Sequence, residues 1–260
     1  MLKIIIDPFS GAKDLGKGSK ARVEFLPGSG VPLKKSEYIS FFTNLLKAGD
    51  EVLFLPASFA LLKDNGLAIK EAIGELKKTF PNGRIEYLDT LSATCATGII
   101  ASLCVTVANS GSELQDVMEF ALTLIGRFAV VFTVDDIEKL KKDSLFGGLL
   151  KDFTGEKVNN KPIFCINNEG RLVLIDKKRG FKAATNALVK LVKANGQNVA
   201  DYDVVITHIK ADVEAQELKE SFKEIVGDNV FITCAGTALE HKLGSKAVGV
   251  GFRMKVKGDD

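Results

Sequence analysis

The stretch that decides the fold reads FAVVFTVDDIEKLKK over residues 128–142 and NNKPIFCINNEGRLVLIDKKRGFKAATNALVKLV over residues 159–192. Its opening apolar, β-branched run predicts a strand, and the two aspartates that follow are typical of a helix start. Two extended runs on either side of Asn167–Gly170 predict a β-hairpin. From Phe181 onward, apolar residues recur at helical spacing beside lysines, which predicts a half-buried basic helix. This order of elements indicates an α/β fold.

The first half of the chain alternates short apolar runs with helical patterns. Runs such as Leu2–Ile6 and Glu51–Leu55 are apolar almost throughout, as expected for parallel strands that helices cover on both faces. We place a lobe boundary at Gly126. The prediction is therefore a Rossmann-like N-terminal lobe with a parallel sheet over 1–126 and a C-terminal α/β lobe with a mixed sheet over 127–260.

Composition argues against several classes of protein. The 260 residues carry 35 basic and 33 acidic side chains, a net charge of +2, which is too balanced to drive binding to nucleic acid through counterion release. The longest apolar stretch, Gly98–Ala108, falls short of the roughly 18 residues that cross a bilayer. No export signal follows Met1, so we expect a cytoplasmic protein without a membrane segment. No pair of cysteines has CxxC spacing, which favours buried, reduced thiols at Cys95, Cys104, Cys165 and Cys234.

These segments resemble the DegV family of bacterial fatty-acid-binding proteins. A typical member carries F-x-V-x-x-L-x-x-L, then K-P-I, then G-x-I or G-x-L, then an Arg before a helix. The strand that ends in Asp7 and the segments GDEVLFLPAS, LDTLSATCATGIIASL and HKLGSKAVGVGF also fall where the family carries similar elements. The resemblance implies a non-catalytic protein that holds a long-chain fatty acid between two lobes. It also implies a partner, a separate dihydroxyacetone-kinase-like kinase subunit that converts the carboxylate to an acyl phosphate.

The turn Leu55–Ser58 is the strongest candidate for a binding site. At the C-terminal edge of a parallel sheet, such a turn presents a hydroxyl and free backbone N–H groups, which bind anions. The family's S-S-x-L-S-G-T-Y falls here on Ala57–Asp64 and keeps only Ser58, which the resemblance assigns to the carboxylate. The family's T-S-x-P-S places Pro32 where the Thr would be and keeps Ser36, which also fits a helix cap.

The other candidate ligand residues are a histidine and two basic side chains. The family's H-T-G-P-G keeps only its histidine, His241, which either donates to a buried carboxylate or is an ordinary surface residue. We interpret His208 as structural. Lys161 and Arg179 match the family pattern and could contact a head group or an acidic partner, although most such clusters are solvated faces.

Two alternatives stay open at this point. The first is a degenerate family member that has lost fatty-acid binding and acts as an interaction scaffold or binds another small ligand. The second is a kinase-like enzyme that uses the loop Gly11–Gly18. This loop begins GxxxxGK, as in a phosphate-binding loop, but Gly18 replaces the Ser or Thr that would ligate magnesium. With two histidines and neither GxSxG nor HExxH, hydrolytic catalysis and a metal site are not expected.

Overall fold

A computed structural model describes residues 1–10, 23–27, 33–151, 153, 159–197 and 204–255, and it confirms the predicted α/β class. The strands are β1 (Leu2–Ile6), β2 (Val23–Phe25), β3 (Glu51–Leu55), β4 (Ile85–Tyr87), β5 (Phe128–Val134), β6 (Asn160–Ile166), β7 (Leu172–Arg179), β8 (Val204–Ile209), β9 (Val230–Cys234) and β10 (Ala247–Arg253). The helices are α1 (Lys35–Lys47), α2 (Phe59–Leu62), α3 (Asp64–Thr79), α4 (Thr94–Asn109), α5 (Leu114–Leu124), α6 (Glu138–Lys141), α7 (Gly147–Leu150), α8 (Phe181–Asn195), α9 (Asp212–Val226) and α10 (Thr237–Leu243).

The first sheet is parallel throughout, with strand order β2-β1-β3-β4. Its two central strands, β1 and β3, pair in register with Ile5 opposite Phe54. Both side chains are fully buried and pack in one cluster with Phe42 of α1 and Ile69 of α3. Burial on both faces explains why these strands read as continuous apolar runs.

The second sheet is mixed, with strand order β7-β6-β5-β10-β8-β9, as predicted. Only β8 and β9 pair in parallel among its described neighbours; the other pairs are antiparallel. The predicted hairpin joins β6 to β7. Asn167 closes its turn, because its Oδ1 accepts hydrogen bonds from the backbone N–H groups of Glu169 and Arg171. Gly170 has a φ of +71°, a conformation that glycine adopts without strain.

Helix α4 lies between the two sheets. One buried apolar cluster includes Ile4 and Leu53 from the first sheet, Ile99 from α4 and Val130 from the second sheet. Helix α4 approaches β10 so closely that a Cβ built on Gly251 would lie 2.9 Å from the backbone nitrogen of Ala96. All strands of the first sheet precede residue 126 and all strands of the second follow it, but a common core joins them. The division into lobes therefore stays a prediction.

Three local expectations need correction or refinement. Helix α1 begins at Lys35, so Ser36 does not cap it; Ser36 is exposed in the first turn, and the Glu37 carboxylate accepts the Lys34 N–H at 2.7 Å instead. Cys234 is exposed, not buried as expected. Burial raises the pKa of Cys104 to about 12, so this thiol remains protonated at neutral pH. Within the described ranges, no helix is both long and apolar enough to span a membrane.

Candidate functional site

An apolar cavity of about 200 Å³ lies between the two sheets. Helix α10 and the segment between α6 and α7 complete its wall. Its apolar lining includes Phe9, Leu61, Leu62, Val130, Phe132, Phe146, Ile166, Leu172 and Leu239. The rings of Phe132 and Phe146 meet edge to face, with 6.3 Å between their centroids. A concave, mostly apolar space with few polar groups is the usual form of a small-molecule site.

Small residues on the surrounding strands and turns leave the room for this cavity. Gly249 of β10 lines it, and a Cβ built there would lie 3.0 Å from the Cβ of Phe132. Ala57 after β3 and Ala93 before α4 also line it. Larger side chains at these positions would occupy the space. The cavity therefore depends on small residues that belong to no catalytic motif.

His208 is one of the few polar groups in the cavity wall, together with Asn65, Thr94, Thr207 and Lys242. It is 6% exposed, and its Nδ1 accepts the backbone N–H of Ala211 at 3.4 Å. The other ring nitrogen, Nε2, lies 3.6 Å from the Cys234 sulfur. The sequence pattern favoured a structural role for His208. Its place at the C-terminal end of β8 was the signal for a site, because ligands of α/β sheets bind at such strand ends.

Ser58 lies beside the cavity without lining it. Its side chain is fully buried, its backbone N–H donates to the Ser92 carbonyl at 2.7 Å, and its Oγ accepts the Ala60 N–H at 3.2 Å. Its Cβ would lie 2.7 Å from a Cβ built on Gly170, so the hairpin turn presses directly against this serine. The hydroxyl therefore caps α2 and packs against the hairpin.

The backbone N–H groups predicted to be free at this turn are occupied by the protein's own carboxylates. Asp7 accepts the Ala57 N–H at 2.5 Å, and Asp89 accepts the Phe59 N–H at 3.3 Å. Burial raises the pKa of Asp7, and hydrogen bonds from the backbone of Phe9 and Ala57 oppose that rise in part. The expectation of free N–H groups after Pro56 was wrong, because Asp7 and Asp89 already accept hydrogen bonds from the N–H groups of Ala57 and Phe59.

Helix α10 carries His241, which is exposed and does not line the cavity. The next residue, Lys242, does, and its ammonium group lies 2.7 Å from the Asp143 carboxylate. Burial alone would raise the pKa of Asp143, but the hydrogen bonds from Lys242 and from the backbone of Leu145 and Phe146 outweigh it and lower that pKa. This ion pair ties the segment between α6 and α7 to α10 across the cavity wall.

The remaining predicted residues lie away from the cavity. Lys161 pairs with Asp135 through a 2.8 Å contact between Nζ and Oδ1 and also donates to the Asp135 carbonyl. Arg179 is exposed at the end of β7. The structure therefore brings neither basic residue together with Ser58, Ser36 or His241 around the cavity. Their ligand roles remain predictions.

Two further expectations concern nucleotides and metals. The GxxxxGK segment at Gly11–Lys17 lies outside the described residues. Within the part of the chain that the structure describes, no cluster of three or more His, Cys, Asp or Glu side chains is arranged to hold a metal ion.

A parallel four-stranded sheet beside a mixed six-stranded sheet defines a two-sheet α/β protein with an internal apolar cavity. A family model described as "Uncharacterised protein, DegV family" matches residues 29–255, and the chain belongs to the DegV family. A DegV domain-containing protein of Clostridium perfringens is 26% identical over 234 residues, which cover 89% of this chain and 81% of that protein.

Solved structures share this fold. The chain is similar to the Streptococcus pneumoniae Fatty Acid Kinase (Fak) B3 protein loaded with linoleic acid, with a TM-score of 0.84, 16% identity and coverage of 98% of this chain and 100% of that one. It is also similar to a stearic acid-binding protein from Eubacterium ventriosum, with a TM-score of 0.81, 16% identity and coverage of 98% and 99%. At these identities the likeness establishes the fold.

Proposed function

We propose that this protein binds a long-chain fatty acid in the cavity between its two sheets. The observation that carries the proposal is the apolar cavity itself, whose polar groups are few. Each methylene of the acyl chain that leaves water for this lining contributes about 0.8 kcal/mol, so a long chain gains most of its affinity from the wall. The linoleic and stearic acids bound by the two structural neighbours support this ligand class.

The second part of the proposal is a role as the non-catalytic subunit of a fatty acid kinase. In this role the protein presents the carboxylate to a separate, dihydroxyacetone-kinase-like subunit, which forms the acyl phosphate in the cytoplasm. The support is the likeness to the pneumococcal Fak B3 protein. Free cysteines, including exposed Cys234, are compatible with a reducing compartment.

The test of binding is direct. The protein is purified without detergent, extracted with organic solvent and assayed for fatty acids by mass spectrometry, and about one fatty acid per chain is expected. Added oleate or palmitate at 100 times the Kd should raise the unfolding free energy by about 2.7 kcal/mol. A protein that carries no lipid and gains no stability from either acid would overturn the proposal.

A pair of matched variants links binding to the cavity. Ala235→Phe adds a ring to the cavity wall and should reduce oleate binding at least tenfold. Val213→Phe adds the same ring to a side chain that is 70% exposed on α9 and should leave binding unchanged. Equal affinities for the two variants would mean that the lipid binds elsewhere.

The kinase role has its own test. The oleate-loaded protein is mixed with ATP and a dihydroxyacetone-kinase-like subunit from the same organism, and hydroxylamine traps any acyl phosphate as a hydroxamate. The hydroxamate should form only when both proteins are present. Oleate binding without hydroxamate formation would leave a lipid-binding protein and remove its kinase role.

One observation favours a second candidate function. The turn after β3, where the family resemblance places the carboxylate, is filled by Asp7 and Asp89. A protein that has lost carboxylate binding in this way would serve as an interaction scaffold or hold another small ligand. Absence of bound fatty acid together with retained folding would favour this candidate.

A further inference from the structure

Asn65 carries an unpaired polar atom at the cavity. The residue lies in the first turn of α3 and lines the cavity. Its Oδ1 is buried and has no hydrogen-bond partner among the described residues. A buried amide oxygen without a partner costs free energy, typically about 1–3 kcal/mol, unless a ligand or water completes it.

Tyr38 holds this carboxamide from the side of the core. The Asn65 Nδ2 lies 2.9 Å from the Tyr38 hydroxyl oxygen. The Tyr38 ring is 2% exposed and packs against Phe42 and Phe54, with centroid distances of 6.4 and 6.1 Å. Burial raises the pKa of Tyr38, so its hydroxyl keeps a proton to donate throughout the neutral range.

The side-chain amide of Asn65 can adopt either of two orientations. A half-turn about its terminal bond exchanges Oδ1 and Nδ2, and such terminal torsions are soft. After the exchange, the Tyr38 hydroxyl donates to Oδ1, and Nδ2 takes the buried position and is left as a donor without a partner among the described residues. The pair therefore provides a donor in a mostly apolar wall.

The surrounding backbone favours an anionic oxygen at this place. Both α3 and α4 are 16 residues long, and neither has a side-chain hydrogen bond at its N-cap among the described residues. Helix α3 carries Asp64 in its first turn, whereas the first turn of α4 has no acidic residue and its N-cap, Ala93, lines the same cavity as Asn65. The N-terminus of a long helix carries a partial positive charge that stabilises anions. The N-terminus of α4 meets the cavity that Asn65 also lines.

We propose that Asn65 binds the head group of the ligand, with Nδ2 donating to a carboxylate oxygen and Tyr38 acting as the positioning residue. The proposal rests on the fatty-acid function above and names the residue that recognises the acid. It moves head-group recognition from the turn after β3, which Asp7 and Asp89 fill, to the start of α3.

The experiment compares three ligands that differ only at the head: oleate, oleyl alcohol and 8-heptadecene, which is the oleate chain without its carboxylate. Each is delivered from cyclodextrin, and binding is measured by native mass spectrometry. Asn65→Leu should weaken oleate binding roughly 10- to 100-fold, the usual range for a hydrogen bond to a charged group, and change 8-heptadecene binding less than about twofold. Asn186→Leu, the same substitution at an exposed position on α8, should change neither.

Tyr38→Phe separates positioning from packing, because it keeps the ring and removes only the hydroxyl. It should weaken oleate binding roughly three- to tenfold and leave 8-heptadecene binding unchanged. A variant that weakens both ligands equally would show a packing defect and overturn the positioning role. Asn65→Ala is a second variant at the ligand residue, with an unchanged melting temperature as the folding control.

The outcomes separate this inference from the proposed function. If the wild type binds oleate and Asn65→Leu binds it equally well, the role of Asn65 falls and fatty-acid binding stands. If the wild type binds oleyl alcohol but not oleate, and Asn65→Leu loses the alcohol, Asn65 is the head-group residue of a different lipid and the fatty-acid function falls. If the wild type binds none of the three ligands, both are overturned.

Discussion

The turn after β3 and the cavity wall are neighbours with opposite polar character. In the turn, the backbone N–H groups of Ala57, Ser58 and Phe59 all donate to acceptors within the protein, two of them to carboxylates. In the wall, the buried oxygen of Asn65 has no partner within the described residues. The turn carries the family's sequence motif, but the wall has the unsatisfied hydrogen-bonding capacity.

A match to the family's sequence motif does not by itself provide a free hydrogen-bonding group. A polar group that already has strong partners gains little from a ligand, whereas an unpaired buried group gains the full bond. Ser58 survives from the family motif and is fully enclosed, while Asn65 belongs to no motif that the sequence analysis identified. Substitutions in the turn should therefore mainly change the stability of the protein, and substitutions in the cavity wall should mainly change ligand binding.

The largest expected effect is on the packing of the turn. Gly170→Ala places a methyl group against Ser58 and forces an alanine to a φ of +71°, and it should lower the unfolding free energy by roughly 3–5 kcal/mol. Gly49→Ala is the matched control, since φ is +78° there, at the end of α1, and nothing lies within 4 Å of the added Cβ. It should cost only about 1–2 kcal/mol in urea unfolding. Equal losses in the two variants would show that the hairpin does not press on Ser58.

The next effect concerns the carboxylate that fills the turn. Asp7→Asn replaces an acceptor of the Ala57 N–H with a group that can face it with a donor, and it should cost about 2 kcal/mol near pH 4. The control is Asp228→Asn on the surface.

The pH dependence of this variant has a definite sign. Burial raises the pKa of Asp7 above its unfolded value of about 3.9, so its contribution to stability is full below about pH 4 and is lost as pH rises through the folded pKa. The wild type should therefore exceed Asp7→Asn in stability most at acid pH. A gap that widens as pH rises would contradict this assignment.

A smaller effect is expected from the ion pair in the cavity wall. Asp143→Asn should cost about 1 kcal/mol or less, because the pair is partly exposed. Its partner Lys242 holds the pKa of Asp143 down, so the loss should be present above pH 4 and disappear as pH falls through the lowered folded pKa. Thermal unfolding across this pH range measures it, and a loss that persists at pH 2 would rule out the ion pair as its cause.

The smallest effect is expected at His241. This side chain is exposed and lies outside the cavity lining, so His241→Ala should change stability by less than about 0.5 kcal/mol and oleate affinity by less than about twofold. A tenfold loss of affinity would instead support the ligand role that the family resemblance assigned to His241 and would weaken the contrast between turn and wall.

Secondary structure was predictable from the sequence where burial determines the pattern of apolar residues. EVLFL and FAVVFT were predictable as strands because both faces of each are covered, and the hairpin was predictable because Asn167 and Gly170 are residues that its turn requires. The hydrogen-bond partners of the turn after β3 were not predictable. Asp7 and Ala57 are 50 residues apart, and nothing in the local sequence indicates that the aspartate would accept a hydrogen bond from that N–H.

The cavity was also not predictable from the sequence, because its space comes from small residues and not from a motif. Gly249 alternates with valines in an ordinary strand pattern, and only the pairing of β10 between β5 and β8 places it opposite Phe132. His208 and Asn65 meet the same cavity from chain segments more than a hundred positions apart. Long-range pairing of this kind is decided by the whole core, not by local propensity.

The position of α4 between the sheets determines how the protein unfolds. Its buried side chains belong to a cluster shared by Ile4 on one side and Val130 on the other, so loss of the helix would expose apolar surface on both sheets at once. The protein should therefore melt in one cooperative transition, and the slowest-exchanging amides should include α4 together with both sheets. For the same reason, neither residues 1–126 nor residues 127–260 should fold when expressed alone.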